Sequence, residues 1–151
     1  MSEGQPLTLE LSLDPGRGAA ELADEPQLRS LAYSILEAEG ALGAWEIAVA
    51  FLGDDDLQSL HLQFMGVDEP TDIMTFPYGD GTPGGDLAIS ADHAFARAAE
   101  WGNSPAEEIQ FLVAHGVLHL LGWQDTRFEQ RELMLARQEE LVSQWRAADC
   151  P

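Results

Sequence analysis

Lysine is absent from this chain of 151 residues, and its seven arginines face 27 aspartates and glutamates, for a formal net charge of −20. A protein that binds a polyanion usually presents a broad basic surface. The composition therefore excludes binding of nucleic acid through an extensive basic face. Any contact with a phosphate backbone has to come from a few local arginines, from a metal ion or from a partner protein.

Cysteine and long apolar runs are scarce as well. The single cysteine, Cys150, lies next to the C-terminus and closes no disulfide within the chain. No uncharged apolar run reaches the roughly 18 residues that a membrane span requires. Residues 1–6 lack the positive and apolar regions of an export signal. We therefore expect one cytoplasmic domain over residues 1–151, long enough to bury its own core.

The spacing of apolar residues predicts an α+β fold. Alternation predicts strands over 7–13, 45–52, 72–78 and 86–90. Helical spacing and cap residues predict helices over about 26–39, 54–64, 91–101, 105–121 and 127–147. The order β-α-β-α-β-β-α-α-α indicates a single domain in which a small mixed four-stranded β-sheet packs against about five α-helices.

The fourth predicted helix has the clearest start and the most apolar composition. Ser104 at the N-cap, Pro105 at N1 and Glu107 at N3 form the pattern of a capping box. From Ile109 onward the helix is apolar on nearly every side, which is typical of a buried element. We expect it to be the central helix of the domain.

This helix carries a histidine motif, since residues 115–125 read H-G-V-L-H-L-L-G-W-Q-D. His115 and His119 are four residues apart, so both rings point from one helix face, and Gly122 is expected to end the helix and turn the chain back towards Asp125. Each imidazole on a buried helix needs a polar partner, and one shared metal ion satisfies both. The pattern H-x-x-x-H-x-x-G-x-x-D therefore predicts a divalent metal site with a coordination position left open for water.

The same spacing occurs in the zinc metalloprotease signature H-E-x-x-H-x-x-G-x-x-H, but with two differences. Gly116 stands where the signature has the glutamate that acts as general base, and Asp125 stands in place of the third histidine. Without the glutamate the usual mechanism lacks its proton acceptor. The motif thus argues against peptide hydrolysis.

Three blocks of the sequence resemble the YbeY endoribonuclease family of bacterial ribosomal RNA maturation factors. Residues 115–122 follow the family pattern H-G-x-L-H-L-x-G-Y-D-H without a break. Residues 70–77, P-T-D-I-M-T-F-P, are similar to its P-T-D-V-L-S-F-P, and residues 85–90, G-D-L-A-I-S, resemble its G-D-I-x-I-S. The three blocks occur in the family's order and spacing.

The resemblance implies a metal-dependent endoribonuclease, specific for single-stranded RNA, that acts in 3′-end maturation of small-subunit ribosomal RNA and in ribosome quality control. It implies one zinc ion per chain, and His115, His119 and Asp125 stand at the three ligand positions, the third of which is a histidine in the family. The implied partners are ribosomal RNA and the small subunit or its assembly proteins, with no membrane and no DNA. Two alternatives stay open: a metal-dependent hydrolase of another substrate, and a non-catalytic ribosome-assembly factor with a structural zinc. The general acid and base are not assigned.

Asp125 is the first departure from the family pattern, which has a histidine at this offset. A carboxylate oxygen is an ordinary zinc ligand at about 2.0–2.2 Å. Its charge makes the ion less positive and hence a weaker Lewis acid. His61 and His93 are the competing candidates for the third ligand, but the turn expected at Gly122 favours Asp125.

Met65 is the second departure, because the family carries an arginine near this position. An arginine that faces the metal can hold a phosphate or stabilise a charged transition state. Its loss, together with the acidity of the chain, argues against robust RNA cleavage. Arg127 and Arg131 follow Asp125 closely and could compensate, or they could simply pair with acids such as Glu129 or Glu132.

Two further aspartates and a glycine pattern allow more than one interpretation. Asp72 could orient a metal-binding histidine or cap its own turn. Asp86 at the start of the fourth strand carries the same ambiguity, and we assign neither as catalytic. Residues 79–84 fit G-x-G-x-x-G, but Pro83 interrupts the pattern and a strand follows, so we expect a hairpin loop.

Overall fold

A computed structural model describes residues 6–14, 16, 23–69 and 71–149. The elements are β1 (Thr8–Asp14), α1 (Glu25–Ala38), β2 (Ala44–Leu52), α2 (Asp54–Met65), β3 (Ile73–Pro77), β4 (Gly84–Ser90), α3 (Ala91–Trp101), α4 (Pro105–Leu120) and α5 (Phe128–Asp149). This is the predicted order of elements. Pro70, Cys150 and most of the loop expected after β1 lie outside the described residues.

The four strands form one mixed sheet in the order β1-β2-β4-β3. β1, β2 and β4 are parallel, while β3 pairs antiparallel with β4. The predicted α+β class, with a small mixed sheet and helices packed on it, is confirmed. Among the described residues, no helix is long and apolar enough to cross a membrane.

A hairpin joins β3 to β4, as predicted for the glycine-rich segment. The amide of Tyr78 donates to the carbonyl of Gly84 at 3.1 Å and closes the loop. β4 begins at Gly84, two residues before the predicted start, because Gly84 and Gly85 already pair with β2. Gly84 has φ +121°, and a Cβ there would collide with the backbone carbonyl of Glu46. The close approach of β2 therefore requires glycine at this position.

α4 is the central helix, because it packs against α1, α3, α5 and the β3–β4 hairpin. Its apolar side chains Ile109, Val113, Val117 and Leu118 are fully buried, which confirms the predicted buried helix.

The predicted capping box begins α4. The amide of Glu107 donates to Ser104 Oγ at 3.1 Å, and the amide of Ser104 donates to Glu107 Oε1 at 2.9 Å. This second hydrogen bond is the main cause that holds the pKa of the Glu107 carboxyl below its usual value. The start of the helix that carries the histidine motif is thus fixed by its own sequence.

The sequence of the last helix predicts an apolar face of Leu133, Leu135, Leu141 and Trp145, and this prediction is partly wrong. Leu133 and Leu135 are 66% and 38% exposed, whereas Met134 is fully buried. The buried stripe of α5 begins at Met134 and continues through Leu141, Val142 and Trp145. These residues recur at helical spacing from 134, so the two flanking leucines fall on other sides of the helix.

Candidate metal centre

The two histidines of the motif lie on the last turns of α4, with ring centroids 4.7 Å apart and ring planes at 82°. The helix ends immediately afterwards, where the amide of Gly122 donates to the carbonyl of His119 at 3.0 Å. Gly122 has φ +105°, a conformation that favours glycine over any residue with a Cβ. The predicted turn at Gly122 is confirmed, and it returns the chain so that Asp125 faces both rings.

Three ligand atoms converge at this turn. His115 Nε2 lies 3.2 Å from His119 Nε2, and Asp125 Oδ2 lies 3.2 Å from the first and 3.3 Å from the second. Tetrahedral zinc with nitrogen and oxygen ligands at about 2.0–2.1 Å separates neighbouring ligand atoms by about 3.3 Å. The three atoms are therefore spaced like one face of a zinc coordination tetrahedron.

The hydrogen bond that each ring forms through Nδ1 determines which nitrogen of the neutral ring carries the proton. His119 Nδ1 donates to the carbonyl of Trp123 at 2.9 Å, and His115 Nδ1 donates to Gln138 Oε1 at 2.8 Å. A neutral imidazole that donates through Nδ1 keeps a lone pair on Nε2. When both rings are neutral, two such lone pairs and a carboxylate oxygen face one another. A cation relieves this repulsion, and the donor set fits a divalent metal ion.

The group is accessible on one side. The side chains of His115, His119 and Asp125 are 17%, 22% and 33% exposed, so each is partly buried. No further histidine, cysteine, aspartate or glutamate joins them within the described part of the chain. A cavity of about 600 Å³ opens beside them, with His115 and Asp125 in its wall. The arrangement leaves room for a small ligand or a phosphate group at a fourth coordination position.

The two competing histidines lie apart from this cluster. His61, on α2, has its Nδ1 2.8 Å from the carbonyl oxygen of Glu69. His93 lines the cavity without joining the group, and its Nε2 is buried with no hydrogen-bond partner among the described residues. The structure thus brings Asp125, rather than either histidine, to the two rings.

Gly116 has a steric reason to be glycine. A Cβ at this position would lie 2.7 Å from Leu87 Cδ2 on β4 and 3.0 Å from Ile73 Cδ1 on β3. The glutamate of the metalloprotease signature has no space here. The packing of α4 on the hairpin therefore agrees with the sequence argument against a protease.

The remaining candidate residues have different positions relative to the cavity. Asp86 accepts a hydrogen bond from the hydroxyl of Tyr78 at 2.8 Å, and burial together with this bond raises the pKa of Tyr78 to about 12. The side chain of Asp86 therefore forms a contact within the β3–β4 hairpin. Asp72 lies in the wall of the cavity. Met65 is 65% exposed at the end of α2 and does not line the cavity.

One interpretation of Arg127 and Arg131 predicts that they pair with neighbouring acids, and the part of the chain that the structure describes does not show these pairs. Neither Arg127 nor Arg131 forms an ion pair within the described residues. Arg131 lines the cavity beside the cluster, whereas Arg127 does not.

Gln138 was missed by the sequence analysis. Its side chain lies four residues after the buried Met134, on the side of α5 that faces α4. A polar residue on an apolar helical stripe was the one available signal, because such a residue needs a partner.

Known proteins match this chain over most of its length. The family model described as Endoribonuclease YbeY matches residues 18–146. Endoribonuclease YbeY of Chloroflexus aurantiacus is 36% identical over 149 residues, which cover 90% of this chain and 94% of that protein. The protein of the same name from Pelotomaculum thermopropionicum is 35% identical over 136 residues, covering 84% of this chain and 90% of that protein.

A comparison with solved structures also finds a match over most of the chain. The solution structure of a Thermotoga maritima protein matches with a TM-score of 0.60 at 27% identity, over 94% of both chains. The sequence matches span nearly the whole chain, including the histidine motif and its exit turn. The chain therefore belongs to the YbeY endoribonuclease family.

Proposed function

We propose that this protein is a metal-dependent endoribonuclease that cleaves single-stranded RNA, with one zinc ion held by His115, His119 and Asp125. The observation that carries the proposal is the convergence of three ligand atoms at tetrahedral spacing beside an open cavity. Family membership supports the reaction class, because the relatives are named as endoribonucleases. We propose residues 1–151 as a single domain of this function.

The side chains of the site prepare it for a cation before any substrate arrives. The Nδ1 hydrogen bonds of His115 and His119 fix each ring in the tautomer that directs the Nε2 lone pair inward. Asp125 adds one negative charge, which lowers the net positive charge of the loaded centre relative to a site with three histidines. A bound divalent ion supplies Lewis acidity for phosphodiester hydrolysis. The carboxylate makes this Lewis acidity weaker than in a site with three histidines.

The number of protein ligands favours an enzyme over a scaffold with structural zinc. Structural zinc sites are almost always closed by four protein ligands, whereas catalytic sites keep one position open. The described residues provide three ligands, and the cavity reaches two of them. A hydrolase of another substrate would share this geometry, so RNA cleavage has to be measured directly.

We further propose small-subunit ribosomal RNA near its 3′ end as the natural substrate. The ribosomal small subunit or its assembly proteins would be the partners, and the cytoplasm the location. This finer assignment is supported by the family resemblance alone. A membrane or DNA partner is not expected.

The proposal is tested by incubating purified protein with an end-labelled single-stranded RNA, with added zinc or with a chelator. We expect cleavage with zinc that disappears in chelator and in His119→Ala, while circular dichroism shows that the variant remains folded. His61→Ala is the matched control, because its ring lies outside the cluster, and it should cleave like the wild type.

Two results would overturn the proposal in different ways. Zinc-loaded protein that cleaves no single-stranded RNA at any salt concentration would exclude the nuclease. Cleavage that persists equally in chelator and in His119→Ala would exclude the metal site as its origin.

A further inference from the structure

The cavity beside the metal centre is open to solvent and is lined mainly by three helices. α3 contributes Arg97 and Trp101 to its wall, α4 contributes His115, and α5 contributes Arg131 and Gln138. We call it the α3–α5 cavity. It connects the ligand cluster with cationic and aromatic side chains of two other helices, so a molecule that reaches the metal centre from this side passes them.

The arginines of this cavity form no ion pair with any acidic residue that the structure describes. Among the six described arginines, Arg29, Arg137 and Arg146 bind carboxylates of the same chain. Arg97 and Arg131 bind none of the described carboxylates, although 27 acidic residues are available in the chain. Two unpaired guanidinium groups in one cavity of a strongly acidic protein indicate a site for an anion from outside.

The cavity also contains three carboxylates, so its balance of charge becomes positive only when the cluster holds a divalent ion. Glu108 accepts a hydrogen bond from Asn103 Nδ2 at 3.2 Å, and Asp125 belongs to the ligand cluster. Asp72 is the third carboxylate of the wall. With a divalent ion in the cluster, the ion and two guanidinium groups outweigh three carboxylates. The cavity is then locally positive, whereas the chain as a whole carries −20.

Trp101 adds an aromatic surface to the same wall. It is the last residue of α3 and is 64% exposed, so the ring is available to a ligand. Phe111, the other aromatic residue of the wall, already has the guanidinium of Arg146 5.0 Å from its ring centroid. Cationic groups beside an open aromatic ring are the combination by which proteins bind single-stranded nucleic acid.

We propose that the α3–α5 cavity binds the single-stranded RNA next to the cleaved phosphate, with Arg97 and Arg131 on backbone phosphates and Trp101 stacked on a base. This inference rests on the proposed function and extends it to the substrate contacts. It also assigns the phosphate-binding role that the family arginine near Met65 does not fill in this chain. Arg97 and Trp101 come from α3, a helix that carries none of the three ligands.

The phosphate contacts are tested by the salt dependence of binding to a fluorescent 2′-O-methyl RNA oligonucleotide, measured by anisotropy with zinc-loaded protein. For single strands, each lost phosphate contact lowers the slope of log K against log salt by about 0.7. We expect this decrease for Arg97→Gln and for Arg131→Gln, and about twice as much for the double variant. Arg127→Gln is the matched control, since this arginine is also unpaired but lies outside the cavity.

The base contact is tested in the same assay. Trp101→Ala should weaken binding by roughly tenfold, because stacking on an aromatic ring typically contributes this much per base. Trp101→Phe should recover most of the loss, and Phe128→Ala should bind like the wild type, since Phe128 is 73% exposed outside the cavity.

The outcomes separate the two proposals. If the wild type cleaves RNA but the Arg97 and Arg131 variants keep the slope of Arg127→Gln, the cavity is not the RNA site, and the proposed nuclease activity stands. Unchanged binding by Trp101→Ala would overturn the stacking contact. A wild type that neither cleaves RNA nor binds the oligonucleotide would overturn the proposed function, and this inference with it.

Discussion

Each histidine of the cluster is oriented by a different kind of partner. His119 donates to a main-chain carbonyl, that of Trp123, which any residue in the exit turn would provide. His115 instead depends on a side chain of another helix, that of Gln138. A single substitution outside the motif, at Gln138, can therefore remove the hydrogen bond that orients His115 but not the one that orients His119.

Replacing Gln138 should weaken metal binding without touching a ligand. The loss of an outer hydrogen bond to a metal-binding histidine typically costs 10- to 100-fold in affinity. We expect a decrease of about this size in the zinc affinity of Gln138→Ala, measured by competition with a chromophoric chelator. Gln138→Glu should retain the affinity, because its carboxylate also accepts from Nδ1.

Gln63→Ala is the matched control for this experiment. Gln63 is a helical glutamine on the exposed surface of α2, far along the chain from the cluster. Equal zinc affinities of the Gln138→Ala and Gln63→Ala variants would show that Gln138 does not orient His115.

The convergence of His115, His119 and Asp125 was predictable from local spacing, whereas the surroundings of the cluster were not. His115, His119 and Asp125 belong to one helix and its exit turn, so the period of the helix and the glycine at 122 are sufficient to group them. Gln138, Arg97 and Trp101 reach the site only because α3 and α5 pack beside α4. No spacing within the sequence reports such a contact.

At the level of elements, the position of α4 depends on its contact with the β3–β4 hairpin. Gly116 allows the helix backbone to approach Leu87 and Ile73 closely. This contact sets the depth at which α4 lies on the sheet, and thus the place from which both imidazoles project. The stability of the protein and the geometry of the cluster therefore both depend on this packing.

Gly116→Ala should therefore destabilise the protein. A new methyl group in a packed core costs typically 1–3 kcal/mol, and the better helix propensity of alanine returns up to about 1 kcal/mol. We expect the free energy of unfolding to fall by about 1–2 kcal/mol in urea denaturation. Gly79→Ala should change little, because a Cβ there meets nothing within 4 Å. A Gly116→Ala variant more stable than the wild type would contradict the close packing.

The wrong predictions concern which residues of α5 face the core and at which residue β4 begins. In α5 the predicted apolar stripe includes Leu133 and Leu135 beside Leu141 and Trp145, but Met134 is the residue that faces the core in their place. Several apolar residues in succession fit more than one helix face, and only the neighbouring elements decide which is buried. β4 begins early because Gly84 and Gly85 pair with β2, and Gly85 also pairs with β3.

On the scale of the whole molecule, the α+β class and the order of elements followed from the sequence alone. The strand order β1-β2-β4-β3 did not, because alternation predicts which side chains are buried and says nothing about which strands pair. The crossover through α1 makes β1 and β2 parallel neighbours, and the short loop makes β3 and β4 antiparallel.

The distribution of charge is also a property of the whole molecule. A chain with a net charge of −20 repels polyanions over most of its surface. In the proposed complex, the unpaired arginines of the α3–α5 cavity and a divalent ion provide a local exception. RNA binding is thus expected to be confined to the site of the chemistry, with weak binding of nucleic acid elsewhere.

The most direct test of the account is to locate the metal by anomalous diffraction at the zinc edge, in crystals of protein purified without added metal and then loaded with zinc. We expect one peak per chain, about 2.0–2.2 Å from His115 Nε2, His119 Nε2 and Asp125 Oδ2, with a fourth position not occupied by a protein atom. A peak elsewhere in the chain would contradict the account, as would a zinc ion bound by the two histidines with the Asp125 side chain in solvent.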